Sequence, residues 1–149
     1  MDDLMKNVLL GALTFLLIAF VPGMALSILA MLSSPVAANR PDPTGDLLMV
    51  LIYYGTTNGL RTLGFLVPTA LSPAWRRWPT KRALITAAIL GFTSPITSLL
   101  GLALIVKGVL PLFQSAPRLA MGLSSGVPGL FLGLFAIGIA KFWPISKPN

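Results

Sequence analysis

The chain has no cysteine and no histidine, and only four of its 149 residues are acidic. Without cysteine there can be neither disulfides nor thiolate metal sites. Without histidine the commonest general base and the commonest metal ligand are gone. The four acids, Asp2, Asp3, Asp42 and Asp46, all stand outside the long apolar runs. Intramembrane metal-dependent and Ser-His-Asp chemistry are therefore excluded, and neither an enzyme nor a cofactor is expected. Charge is scarce altogether: 10% of residues are charged and 55% are hydrophobic, with a mean hydropathy of +0.85. A soluble domain of this length needs more charge to keep its surface wet, so the composition predicts one all-α, polytopic membrane domain spanning residues 1–149.

Four apolar spans are present, at about 8–32, 47–71, 83–106 and 119–140. Each reaches the ~20 residues that a helix needs to cross the hydrocarbon core. The segments between them, "SSPVAANRPDPTGD", "SPAWRRWPTKR" and "KGVLPLFQSAPR", are rich in turn formers. Each span carries a proline, Pro22, Pro68, Pro95 or Pro128, which membrane helices accommodate as kinks. The first span also has a signal-peptide reading, with "PVAA" as a cleavage site. Its leader "MDDLMK" is a poor positive n-region, and its apolar run exceeds the usual h-region, so a membrane helix is the expectation.

The basic residues give an orientation. Lys6, Arg76, Arg77, Lys81, Arg82, Lys141 and Lys147 fall on one side of a four-helix trace, and Arg40, Lys107 and Arg118 on the other. Seven against three in short loops predicts both termini inside, in a bacterial cytoplasmic (inner) membrane. In "AWRRWPTKR", Trp75, Arg76, Arg77, Trp78, Lys81 and Arg82 combine aromatic and basic side chains. That mixture is expected to anchor at the headgroups of membrane lipids, and no nucleic-acid partner is expected for so short a loop.

The remaining cation is Arg61, 14 residues into the second span and so roughly 21 Å from its start, near the midplane. Helical spacing sets Tyr54, Thr57, Asn58 and Arg61 along one polar stripe. Gly55, Gly59 and Gly64 offer small-residue packing positions beside it. An arginine that merely snorkels would cost about 2.5–3.5 kcal/mol on insertion. The alternative is a guanidinium buried against protein or water, with Thr57 and Asn58 solvating it from the preceding turn. No carboxylate of this chain can reach it, so its partner is a carbonyl, a lipid phosphate, water or an acidic group on another chain. Two further clusters, "TSPITS" and "SSGVPG", place Thr97, Ser98, Ser124 and Ser125 as pore-lining hydroxyls. Hydroxyls of this kind also bond to the preceding turn of their own helix.

Three stretches resemble a known family. "DLLMVLIYYGTTNGL" is similar to the second helix of MotA-type stator proteins. "SPITSLLGLAL" and "LAMGLSSGVPGLFLGLFAIGIAKFW" resemble the third and last helices of the MotA/TolQ/ExbB proton-channel family. The resemblance implies a channel-type subunit surrounding a partner's transmembrane helix that bears an acidic residue. The sequence departs from the pattern at Leu102, which follows Gly101 where the family has threonine, and at Ser125 or Gly126 in place of the last-helix threonine. The family's large cytoplasmic segment is reduced here to a short loop. Three classes stay open: such a channel-type subunit, an assembly subunit of a larger membrane complex, and a small transporter or holin-like pore former. All three predict a homo-oligomer or a hetero-complex with another membrane protein.

Overall fold

The computed structural model describes residues 3–33 and 43–143, and these are helical nearly throughout. Four long helices, α1 (Asp3–Ser33), α2 (Pro43–Leu71), α4 (Thr80–Ser115) and α5 (Pro117–Phe142), enclose one short one, α3 (Pro73–Arg76). Among the described residues there is no strand. The long helices follow the apolar runs, and prolines punctuate their starts. Pro43 opens α2, Pro79 precedes α4 and Pro117 opens α5, where a missing N–H costs nothing and φ is already helical. Pro22, Pro68 and Pro128 sit inside unbroken helices. Two helices, over Met5–Ala25 and Pro117–Phe142, are long and apolar enough to cross a membrane by length and composition.

The helices outrun their expected bounds. α4 begins at Thr80 rather than Ala83 and runs to Ser115, so Lys81 and Arg82 belong to its first turn. α3 is an element that hydropathy does not reveal. Ser72 caps it, its hydroxyl accepting from the Trp75 N–H at 3.4 Å, with Pro73 in the first turn.

Contacts fix the directions. Asn7 meets Arg76 and Trp78, while further along Phe15 lies against Gly91 and Phe65. Tyr54 lies against Gly23. α1 and α4 thus start at the end where α2 and α5 finish. α2 packs chiefly on α5 and α1 on α4, and α1–α2 and α4–α5 contacts close the ring. α2 and α4 therefore face each other across a diagonal.

Among the described residues the core is concentrated toward the end where α1 begins. Phe15 stacks on Phe65 with centroids 4.5 Å apart, Phe65 meets Trp75 edge-on at 5.9 Å, and Trp75 leans on Trp78 at 5.6 Å. This column fills the interior with large rigid surfaces. Asn7 pins the α3 segment onto α1 by donating from Nδ2 to the Trp78 carbonyl at 2.5 Å and the Arg76 carbonyl at 3.1 Å. The headgroup expectation for the tryptophans is thereby corrected: Trp75 is 0% and Trp78 4% exposed. An indole surrounded by basic residues in sequence is turned inward because α3 folds back under the bundle. Arg77 and Lys81 are exposed, Arg76 and Arg82 half-buried, and the Arg82 guanidinium lies 5.4 Å from the Trp143 ring centre.

Candidate functional site

Arg61 projects from α2 into the interior rather than outward, with 9% of its surface exposed. Its position is set by an unusually close approach of α5. A Cβ at Gly129 would fall inside contact distance of the Arg61 carbonyl oxygen and 2.8 Å from its carbonyl carbon. The same seam continues at Gly64, where a Cβ would stand 2.8 Å from the Leu130 nitrogen, and at Gly133, 2.7 Å from the Phe65 oxygen. Only hydrogen fits at these points, so the two backbones lie nearly in contact.

From that backbone the guanidinium reaches across the diagonal. Its Nη1 donates to Asn58 Oδ1 at 3.0 Å, one turn back on α2, and to Ser94 Oγ of α4 at 3.3 Å. Asn58 is 2% and Ser94 0% exposed. Nε is buried and has no hydrogen-bond partner among the described residues. Every acceptor on the guanidinium is thus neutral, and among the described residues no carboxylate lies near. Asp46, on the same helix, is 15 residues away, roughly 22 Å along the axis.

The rest of the stripe divides. Thr57 is buried beside Arg61, but its hydroxyl donates to the Tyr53 carbonyl at 2.9 Å and the Tyr54 carbonyl at 3.3 Å. It does not solvate the guanidinium, because the preceding turn's carbonyls are nearer. Tyr54 is half-buried, and its ring would meet a Cβ on Gly23 at 3.0 Å. The glycines divide too. Gly64 packs within the chain, whereas Gly55 and Gly59 have nothing within 4 Å of a Cβ. Among the described residues those two meet no neighbour and lie on the outward side of α2. Ser125 is buried and Ser124 half-buried in α5; the side chains of Thr97 and Ser98 lie outside the described residues. Ser94 and Gly129, which sequence reasoning did not single out, belong to the same "TSPITS" and "SSGVPG" stretches.

The N-terminal part of α2 carries a run of exposed apolar side chains. Leu47, Leu48, Met49, Leu51, Ile52 and Tyr53 are all exposed. At 100° per residue these positions cover about two thirds of the circumference, and the remaining sector holds half-buried Val50 and Tyr54. Arg61 therefore sits one to two turns beyond this exposed apolar run, where the stripe turns into the interior. Comparison with protein-family models, curated proteins and solved structures returns no match to this chain.

Proposed function

We propose that this chain is a multi-pass integral membrane protein with four spans, α1, α2, α4 and α5, and both termini on the cytoplasmic side. It works as a non-enzymatic subunit of an oligomeric complex, docking another transmembrane helix along the exposed half of α2. The observation that carries the reading is that exposed stretch, apolar over about two thirds of the helix circumference, bordered by Gly55 and Gly59 with open space in front of them. Apolar exposure continues around the bundle at Leu17, Val21, Val67, Phe92, Phe131 and Phe135, far more than a water-facing surface carries. Hydrocarbon satisfies such an exterior. The orientation is supported by the gathering of Lys6, Arg77, Lys81 and Lys141 at the end where α1 begins. The resemblance to MotA/TolQ/ExbB helices favours a channel-type subunit over a purely architectural one.

The absence of native cysteine makes the test direct. Single cysteines at Gly55 and Gly59 should cross-link to a second polypeptide in intact membranes, while one at buried Ala136 should not. Gly59→Leu should weaken that association by blocking close helix approach. Mass spectrometry of the cross-linked product separates a second copy from a different subunit. Monomers throughout, with G59L indistinguishable from the parent, would reject the docking surface.

A further inference from the structure

The corner where α4 begins and α5 ends carries charge that the fold does not use. Lys81 and Arg82 occupy the first turn of α4, which holds no acidic residue. The N-terminal end of a helix is partially positive, so anions are favoured there and cations are not. Pro79, just ahead of it, has no side-chain oxygen to cap the free N–H groups. Trp143, one residue past α5, comes to the same corner, with Arg82 Cζ 5.4 Å from its ring centre. Lys141, Phe142 and Trp143 are all exposed, Phe142 at 88%. We infer that this corner, built from Lys81, Arg82, Lys141 and Trp143, binds the headgroup phosphate of an anionic phospholipid on that side of the membrane.

Three observations point to that chemistry. The first is access. Arg82 is half-buried, and Nη1 is the one nitrogen of its guanidinium that is both covered and unpartnered. Its Nε and Nη2 make no hydrogen bond among the described residues either, so they are open at the surface. Those two nitrogens form the edge that offers parallel N–H bonds to phosphate oxygens, and the indole beside them restrains its direction. The second is the charge balance. Asp2 and Asp3, at the start of α1, are the only acids on this side of the four-helix trace, against Lys6, Arg76, Arg77, Lys81, Arg82 and Lys141. A topology signal needs such charge in any arrangement; a guanidinium stacked on an indole brought from the far end of the chain is an arrangement. The third is the apolar surface at the same level. Phe142 and Trp143 have no use for a soluble anion, whereas a lipid offers glycerol and acyl carbons directly beneath its phosphate. The choice of lipid rests on the membrane placement proposed above.

The test uses the purified full chain in a mild neutral detergent with added lipid, and native mass spectrometry reads the lipid retained. Phosphatidylglycerol is compared with phosphatidylcholine, which has the same phosphate but no net charge, and water-soluble glycerol phosphate serves as competitor. The parent should prefer phosphatidylglycerol by on the order of tenfold or more, and Arg82→Gln or Lys81→Gln should each lower that preference about fivefold, the effect of one basic side chain at an anionic surface. Arg82→Lys, which keeps the charge but not the fork, should recover only part of the loss. Arg118→Gln removes the same charge at the opposite end and should change nothing. Equal retention of the two lipids by the parent overturns the inference, and that reading does not depend on whether any variant folds. An equal loss in R118Q and R82Q, or no loss in R82Q and K81Q, overturns it as a general charge effect. Displacement of phosphatidylglycerol by glycerol phosphate assigns a soluble phosphate and overturns the lipid as occupant. Alkaline carbonate extraction of the host membranes separates the two failures. A chain released by carbonate denies the membrane placement and this site with it; a chain retained, yet without lipid preference, denies the site alone.

Discussion

Gly129→Ala adds one methyl group at the closest approach of α5 to α2. The new Cβ would stand 2.8 Å from the Arg61 carbonyl carbon and 3.0 Å from its Cα, with the carbonyl oxygen nearer still. Ordinary carbon–carbon contact is about 3.5–4.0 Å, so the helices must separate locally by about 1 Å. Nothing at the contact is a flexible side-chain tip; all three atoms are backbone. A gap of that size forfeits a quarter to a half of each contact's attraction along the seam, and overpacking of this kind costs about 1–3 kcal/mol. Alanine's better helix propensity returns at most about 1 kcal/mol. Gly138→Ala, nine residues on in the same helix, receives the same propensity gain, yet its Cβ meets nothing within 4 Å. The propensity gain cancels between the two variants, which should therefore differ by about 1–3 kcal/mol, G129A unfolding first in thermal scans in one detergent. Shifting α2 should also lengthen the 3.3 Å bond from Arg61 to Ser94 beyond hydrogen-bonding range. If G129A and G138A unfold together, α2 and α5 do not approach as described, and the placement of Arg61 falls with them.

Asn7→Ala removes two hydrogen bonds that tie the α3 segment to α1 and leaves the Arg76 and Trp78 carbonyls short of donors. A loss of about 1–3 kcal/mol is expected, read as a lowered unfolding midpoint, and Asn7→Gln should not restore it if the geometry is as tight as drawn. For orientation, cysteines at exposed Arg77 and Arg118 should react with a membrane-impermeant thiol reagent from opposite sides of sealed vesicles. Labelling of both from one side would remove the alternation of the four spans.

Helices were legible because hydropathy runs at this length have few other outcomes, and the inward stripe of Asn58 and Arg61 was legible because i, i+3 spacing puts both on one face. The far wall of the site was not. Ser94 reaches Arg61 only through a diagonal contact between α2 and α4, and no local pattern encodes which helix stands across. Gly64 was recognised as a packing position, but its partner is the chain's own α5, and Gly55 and Gly59 point the other way. The seam's signal was present as the recurrence of Gly126, Gly129 and Gly133, hidden among glycines that contact nothing. The tryptophans misled because amphipathic rings beside basic residues satisfy two environments equally well on paper. Ser72-Pro73, a helix-start pair, was the one local sign that the segment folds back rather than lying flat.

The Asn7 bonds join residues 69 and 71 positions apart, and this bears on the order of events at the ribosome. When α1 first forms, the Asn7 amide and the Phe15 ring have no intramolecular companion. Phe65 arrives with the next helix, and the indole of Trp75 only after that helix has turned back. Until Trp78 has emerged, slightly more than half of the 149-residue chain, the nascent protein carries an open polar group at the start of α1. Closing this end of the bundle therefore waits on a contact that spans about half the chain, so its formation is late and its loop-closure cost is among the largest in the fold.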